Sequence, residues 1–208
     1  MILENYYWLF ERVIPSHLCD DIIKYAKSVD KKRAITGGYE DKDLTEKDTV
    51  KNLKKTRDSH IVWLNENWIY NLIIPLVKEA NVLAKWNFQW DTCENSQFTF
   101  YSPKQHYSWH ADSWNKPYDD PGTPRHGKIR KITSMIMLSE GTEFEGGELE
   151  LDLRNGENRN DKSKIMSINY DTKGTVIIFP SFVWHRVKPV KSGTRYSMPT
   201  WHIGAPFK

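Results

Sequence analysis

Two stretches in the first half of the chain repeat apolar residues at helical spacing. Within residues 17–28 the apolar side chains recur every three or four positions, and Ser16 offers a hydroxyl that could cap the first turn. Residues 66–83 show the same periodicity around Pro75, at which a helix is either continued or kinked. The pattern predicts two amphipathic helices.

From residue 96 onward the apolar positions fall instead into short runs rich in β-branched and aromatic residues. These runs cover residues 97–101, 131–138, 147–153, 165–168, 175–179 and 195–203. Clusters of Gly, Pro, Asn and Asp separate several of the runs. Because helical patterns do not alternate with them, the sequence favours an antiparallel sandwich or barrel over β-α-β units.

Length and charge narrow the possible classes of protein. A chain of 208 residues fits one ordinary domain. The net charge of +3 comes from 30 basic and 27 acidic residues that are interspersed, so no nucleic-acid partner is expected. The mixed-charge run at residues 42–57 is interpreted as a solvated face or a mobile loop.

The sequence contains no sign of export or of membrane insertion. Its N-terminus lacks the basic start and apolar stretch of a signal peptide, and no segment approaches the apolar length of a membrane span. Cys19 and Cys93 lie far apart, which is typical of free thiols in a reducing compartment. We therefore expect a cytoplasmic protein with no membrane partner.

A candidate metal site begins with the triplet His110-Ala111-Asp112. On an extended strand, residues two apart point to the same face, so the imidazole and the carboxylate could share one ion. Such a triplet is common by chance and needs a third ligand, which His185 supplies after the strand-like residues 174–181. Two His and one carboxylate leave one side of a metal open, an arrangement that suits Fe(II) oxygenases better than zinc sites.

Arg195 follows His185 by ten residues and opens the last strand-like run. If that strand faces inward, its guanidinium requires an anion. The distal carboxylate of 2-oxoglutarate is such an anion, because a planar guanidinium can bind it through two parallel hydrogen bonds. The spacing therefore indicates a co-substrate site next to the metal.

Three longer segments together resemble the prolyl 4-hydroxylase-like branch of the 2-oxoglutarate and Fe(II)-dependent dioxygenases. They are YSPKQHYSWHAD at residues 101–112, RKIT at 130–133 with the later FEGGEL at 144–149, and the stretch from GTVIIFPS at 174–181 to GTRYS at 193–197. The resemblance covers most of the chain. It implies a mainly β fold with flanking helices, whose core is a double-stranded β-helix, or jelly-roll.

The resemblance also implies roles for individual residues. His110, Asp112 and His185 would be the catalytic iron ligands, Arg195 would anchor 2-oxoglutarate, and Tyr101 would be a further donor to it. Tyr107 matches an aromatic position near the metal. Residues 1–208 would form a single domain, with residues 1–95 as helix-rich support and 96–208 as the jelly-roll catalytic core.

The implied reaction is hydroxylation of a prolyl or other residue in a peptide or protein. Fe(II), 2-oxoglutarate and O2 would be required, succinate and CO2 released, and ascorbate is a candidate stimulant. Lys104 stands where the family often has Gly, so we expect a different turn before the metal ligands. The oligomeric state is left open.

Other interpretations are compatible with the same residues. They include a hydroxylase of a free amino acid or another small molecule, a non-catalytic jelly-roll binding module, and a nucleic-acid demethylase. The last usually has a second Arg six residues after the first, where this chain has Trp201.

Residues 113–127 are either a substrate lid or a surface loop. Trp63, Trp184 and Trp201 are either pocket or core residues.

Overall fold

Strands dominate the computed structural model, which describes residues 3–29, 32–33, 55–113, 116–154, 161–168 and 170–207. The α-helices with defined bounds are α1, Ser16–Ser28, and α2, Asn67–Leu83; short 3-10 helices cover Gly141–Glu143 and Lys162–Lys164. The strands are β1 Trp8–Phe10, β2 Lys32–Arg33, β3 Arg57–Asp58, β4 His60–Leu64, β5 Thr92–Cys93, β6 Ser96–Tyr101, β7 His106–His110, β8 Ile129–Met137, β9 Phe144–Gly146, β10 Leu149–Asp152, β11 Ile165–Ile168, β12 Val176–Pro180, β13 Trp184–Val187, β14 Val190–Gly193 and β15 Arg195–Gly204.

The strands form two main antiparallel sheets. The larger, eight-stranded sheet has the order β1-β12-β8-β15-β6-β4-β2, with β5 paired to β15. The smaller, five-stranded sheet has the order β11-β10-β13-β7-β3, and β14 pairs with β9 in a separate ribbon. This mainly β jelly-roll with flanking helices confirms the predicted fold class. Among the described residues, no helix is both long and apolar enough to cross a membrane.

Alternation along the strands of the larger sheet divides the core into two layers. Residues such as Ile136 and Met198 face the helices and pack with Ile22 of α1 and Ile69 of α2. The neighbours of Ile136 in sequence, Met135 and Met137, point the other way, toward the smaller sheet. The space between the sheets is therefore the side on which Arg195 and every second residue after it are presented.

The two predicted helices are present, with one error at a terminus. Helix α1 begins at Ser16 itself, and Pro15 occupies the cap position without a side-chain hydrogen bond, so the prediction of Ser16 as the N-cap is wrong. Helix α2 continues through Pro75. Pro75 is exposed, so water can satisfy the carbonyl group that the missing N–H leaves without a donor.

Every predicted strand run corresponds to a strand, and residues 165–168 match β11 in full. The sequence did not predict β1 and β4, although both pair with strands of the larger sheet. Residues before position 96 are therefore less purely helical than expected, because they also extend this sheet. The division of the chain at residue 95 stays a prediction.

Gly174 connects the N-terminal segment to the larger sheet. Its N–H donates to the carbonyl of Met137 at 2.9 Å, and its carbonyl accepts from the N–H of Ile14 at 3.0 Å. Its φ is +80°, and a Cβ added there would lie 2.0 Å from the carbonyl oxygen of Ile14. A side chain at this position would therefore combine backbone strain with a backbone clash.

We predict that Gly174→Ala lowers the free energy of unfolding by about 3 kcal/mol or more, since it adds a clash to the cost of a left-handed residue. Gly122→Ala is the matched control, because Gly122 has φ +83° with nothing within 4 Å of an added Cβ. That change should cost only about 1–2 kcal/mol. Urea unfolding measures both values, and equal losses would contradict the steric explanation.

Candidate functional site

Pairing between β7 and β13 brings the two predicted histidine ligands together. His185 of β13 lies directly opposite His110 of β7 in the register, and their ring centroids are 4.1 Å apart. Asp112 lies just beyond the end of β7, where its N–H donates to the carbonyl of Ser181 at 2.8 Å. The ligand atoms of His110, Asp112 and His185 all lie within 4.8 Å of one another.

The distances within this cluster suit a shared ion. Nε2 of His110 lies 3.7 Å from Oδ1 of Asp112, and Nε2 of His185 lies 3.5 Å from Oδ2. Ligand atoms bound to one ion at about 2.0–2.2 Å are separated from one another by about 3–4 Å. The three side chains therefore have the chemistry and spacing of a metal site with two imidazoles and one carboxylate.

Hydrogen bonds from the far side of each ring orient the two histidines. Nδ1 of His110 contacts the carbonyl of Ser108 at 2.9 Å, and Nδ1 of His185 contacts the carbonyl of Val183 at 2.9 Å. Since a carbonyl oxygen only accepts, each Nδ1 carries the hydrogen, and Nε2 of a neutral ring keeps its lone pair. Burial, followed by the charge of His185, lowers the pKa of His110 to about 3, which keeps this ring neutral.

Asp112 is held as an ionised carboxylate. Its Oδ2 accepts a hydrogen bond from Oγ1 of Thr133 at 2.9 Å, and Thr133 also contacts the Ser181 hydroxyl at 3.0 Å. Burial by itself would raise the pKa of Asp112, but the surrounding groups, among them His185, His110 and Arg130, together lower it. The carboxylate therefore supplies negative charge to a metal.

Arg195 is fully buried on the inner face of β15, with 0% of its surface exposed. Its Nη1 donates to the hydroxyl of Ser197 at 2.9 Å, while Nε and Nη2 have no partner among the described residues. Tyr101 is its partner in the β6–β15 register, with the ring centroid 5.7 Å from the guanidinium carbon. A buried cation without an anion is costly, so this arrangement is suited to binding a carboxylate.

A cavity between the two sheets joins the metal cluster to the neighbourhood of Arg195. It is lined by all three candidate ligands together with Arg57, Gln97, Thr99, Tyr101, Tyr107, Met135, Val187, Ser197, Pro199 and Trp201. Trp201 is thus a pocket residue. Trp63 is 41% exposed and lines a different, open pocket, whereas Trp184 is 54% exposed and does not line the cavity.

Arg57 is a site residue that sequence reasoning missed. It ends the mixed-charge run at 42–57, of which residues 42–54 lie outside the described part of the chain. The interpretation of that run as a solvated face or mobile loop is wrong for Arg57, which is only 6% exposed and lines the cavity. Sequence offered no signal, because β3 is two residues long and lies within a run of charges.

The contacts of Arg57 connect it to the metal cluster. Its Nε donates to the Ser59 hydroxyl at 2.9 Å and its Nη2 to Oε1 of Gln97 at 2.6 Å. The guanidinium lies 4.6 Å from the ring centroid of Tyr107, and that ring stacks on His110 with 3.5 Å between centroids. Arg57 and Tyr107 therefore form one wall of the cavity and support a candidate ligand from behind.

A second arginine, Arg130, packs against Trp201, which lines the cavity. Arg130 donates to both carboxylate oxygens of Glu94, at 2.7 and 2.6 Å, and its guanidinium carbon lies 3.8 Å from the Trp201 ring centroid. Glu94 also accepts from the hydroxyl of Tyr118 at 2.8 Å. This network fixes Trp201 at the edge of the cavity and ties the loop that contains Tyr118 to it.

The loop at residues 113–127 and the turn at Lys104 were both singled out from the sequence. Within the predicted lid at residues 113–127, positions 114 and 115 lie outside the described residues, and its role stays a prediction. Lys104 is exposed and adopts φ +73°, a left-handed conformation that Gly adopts most readily. The lysine therefore bears backbone strain that glycine would not have in this turn.

Curated relatives match part of the chain. A PKHD-type hydroxylase of Sphingopyxis alaskensis is 31% identical over 98 residues, which are 47% of this chain and 38% of the relative. A PKHD-type hydroxylase of Synechococcus sp. is 32% identical over 95 residues, which are 46% of this chain and 35% of the relative. The match thus spans less than half the length of each of these relatives.

Solved structures share the fold along nearly the whole chain. A viral collagen prolyl hydroxylase of Paramecium bursaria Chlorella virus-1, in complex with 2-oxoglutarate, has a TM-score of 0.65 at 22% identity and covers 98% of both chains. A prolyl-4-hydroxylase of Pseudomonas putida has a TM-score of 0.63 at 15% identity, with 96% of this chain and 92% of that chain covered.

We predict that Thr133→Val weakens metal binding about 10- to 100-fold, because the variant loses the hydroxyl that holds Asp112 while keeping its shape. Co(II), which does not oxidise readily, can be titrated into metal-free protein and followed by calorimetry. Ser134→Ala is the control, since the Ser134 hydroxyl contacts His202 on the other face of β8. Equal Co(II) affinities for the two variants would show that Thr133 does not position the carboxylate.

The sequence profile of one family covers all the candidate metal ligands and the buried arginine. The 2OG-Fe(II) oxygenase superfamily matches residues 96–203, a segment that contains the three candidate ligands, Tyr101 and Arg195. This segment is more than half of the 208 residues. The chain therefore belongs to the 2OG-Fe(II) oxygenase superfamily.

Proposed function

We propose that this chain is an Fe(II)- and 2-oxoglutarate-dependent dioxygenase that hydroxylates a residue of a peptide or protein, with proline as the first candidate. The observation that carries the proposal is the presence, in one cavity region, of a three-ligand cluster and a buried arginine with unpaired donors. A metal site alone would fit many proteins. The added anion site is the part that fits a 2-oxo dicarboxylate.

His110, Asp112 and His185 would hold Fe(II). Their donor set of two imidazoles and one carboxylate leaves positions open on the metal, as Fe(II) oxygenases require. Arg195 would hold the distal carboxylate of 2-oxoglutarate. When bound, these groups supply the oxidising chemistry, in which O2 and 2-oxoglutarate are consumed, succinate and CO2 are released, and a substrate C–H becomes C–OH.

The protein would contribute binding, orientation and protection from water. The hydrogen bonds from Nδ1 of both histidines fix which nitrogen faces the metal. Burial of Arg195 strengthens its attraction for a carboxylate, because water does not screen the charge there. Tyr107 and Trp201 are among the other residues that line the cavity and would form aromatic walls around the target carbon.

Two kinds of observation favour a prolyl target. The curated relatives are named PKHD-type hydroxylases, which favours hydroxylation, and the solved structures with the same fold include prolyl hydroxylases, which favours proline. A prolyl hydroxylase of Trichoplax adhaerens with the same fold, at a TM-score of 0.61 and 16% identity, is described in complex with a peptide fragment. A peptide is accordingly our first choice of substrate.

A free amino acid is the second candidate, and Arg57 is the observation that favours it. Arg57 places a guanidinium in the cavity and makes its hydrogen bonds to the neutral Ser59 and Gln97 rather than to a described carboxylate. A free amino acid would bring a carboxylate to that charge. An internal prolyl residue of a peptide has no carboxylate of its own and would bring only a backbone carbonyl.

The experiment supplies purified protein with Fe(II), 2-oxoglutarate and air, with and without ascorbate, and offers proline-centred peptides and free L-proline in parallel. We predict that a peptide gains the mass of one oxygen atom while an equal amount of succinate forms. Asp112→Ala should abolish both products, since it removes the only carboxylate of the cluster. Asp21→Ala is the matched control, because Asp21 is exposed on α1 and does not line the cavity.

The comparison of peptides with free L-proline, and of wild-type protein with Asp112→Ala, distinguishes the two candidate functions. Hydroxylation of L-proline but of no peptide would replace the first candidate by the second. Succinate formation that is identical in wild-type protein and Asp112→Ala would contradict the proposed function, because it would not depend on the cluster.

A further inference from the structure

Unpaired polar atoms in the interior concentrate around Arg195. Among the described residues, the buried side-chain atoms without a hydrogen-bond partner are Nε and Nη2 of Arg195, the hydroxyl of Tyr170, Nε1 of Trp201 and Nδ1 of His202. Three of these five atoms belong to Arg195 and Tyr170. Native proteins leave few buried polar groups unpaired, so a local concentration of them needs an explanation.

We propose that Tyr170 is a second binding residue for the co-substrate, donating its phenolic hydrogen to the distal carboxylate that Arg195 also binds. This inference rests on the proposed function and deepens it. Tyr170 follows β11 and was not singled out by any sequence pattern.

The position of Tyr170 supports the assignment. It is 3% exposed and packs in the core layer between the sheets, together with Tyr101 and Leu149. The guanidinium carbon of Arg195 lies 5.8 Å from its ring centroid, close to the 5.7 Å that separates it from the ring of Tyr101. Arg195 therefore has two tyrosine rings at similar distances and no described carboxylate beside it.

Room for the arginine is maintained by Gly147. A Cβ added at Gly147 would lie 2.9 Å from Cδ of Arg195, and the φ of Gly147 is +68°. Gly147 belongs to the FEGGEL segment at residues 144–149. Its lack of a side chain leaves the volume that the buried Arg195 side chain occupies.

The unpaired atoms indicate the chemistry of the missing partner. Burial raises the pKa of Tyr170 well above its usual range despite the neighbouring positive charge of Arg195, so the phenol keeps its proton and can donate. Arg195 contributes three further N–H bonds, one on Nε and two on Nη2, and has no acceptor atom. A carboxylate accepts several hydrogen bonds and brings the compensating charge, so it satisfies this set of donors better than a neutral group.

This arrangement has a consequence for co-substrate selection. In 2-oxopentanoate, a methyl group stands where 2-oxoglutarate has its distal carboxylate, while the 2-oxo acid end is the same. Binding of 2-oxopentanoate would leave the Tyr170 and Arg195 donors unpaired. Tyr170 should therefore contribute to the binding of 2-oxoglutarate and not to that of 2-oxopentanoate.

The test compares both 2-oxo acids in wild-type protein and in Tyr170→Phe, which removes the hydroxyl and keeps the ring. Binding to the Fe(II)-loaded protein is measured by calorimetry without oxygen, so the readout does not depend on turnover. We predict that the Kd of 2-oxoglutarate rises about tenfold or more, as for loss of a hydrogen bond to a charged group. The Kd of 2-oxopentanoate should stay unchanged.

Tyr196→Phe is the matched control, because Tyr196 neighbours Arg195 on β15 but packs on Phe98 on the opposite face. This variant should bind both acids as the wild type does. Unchanged 2-oxoglutarate binding in Tyr170→Phe would overturn the inference, and so would an equal loss for both acids, which would mean a structural role. Failure of wild-type protein to bind 2-oxoglutarate would instead overturn the proposed function, and this inference with it.

Discussion

The pairing of β7 with β13 is the constraint on which the site depends. It sets His185 opposite His110, and the chain then turns at Asp112, whose N–H is held by the carbonyl of Ser181. A shift of this register by one residue would turn a histidine to the other face of the smaller sheet. The larger sheet supports the arrangement from across the cavity, because Thr133 of β8 reaches Asp112.

The second defining property of the site is that several of its buried polar groups have no partner among the described residues. The cavity region contains buried donors that the described protein atoms leave unpaired, and the fully buried guanidinium of Arg195 has no described carboxylate beside it. Such an interior is less stable than one in which all polar groups are paired. A protein that retains it is built to be completed by a ligand, and the chemistry of the unpaired groups indicates an anion.

The sequence could predict the elements whose signals are local. The helical periodicity around Pro75 and the strand-like runs after residue 96 correspond to elements of the fold. His110, Asp112, His185 and Arg195 were accessible because spacing and resemblance single them out, and the structure brings the first three together. The N-terminal strands were not predictable, because strands as short as β1 gain their stability from pairing with β12 rather than from their own composition.

Arg57 and Tyr170 likewise could not be predicted from local sequence. Each owes its place to long-range packing: Arg57 pairs with Tyr107 across the smaller sheet, and Tyr170 packs between the sheets beside Arg195. Neither belongs to a motif that short-range reasoning would recognise. Burial and unpaired donors, which only the folded chain reveals, are what indicate their roles.

The most direct test of the central claim is an anaerobic titration of Fe(II) and 2-oxoglutarate, followed by visible absorption from charge transfer between the metal and the 2-oxo acid. We predict a band in the wild-type protein that disappears in His185→Ala and requires more 2-oxoglutarate in Arg195→Ala, while His17→Ala on the exposed face of α1 matches the wild type. Absence of the band in folded wild-type protein, or its persistence in His185→Ala, would contradict the assignment of this cluster as the iron site.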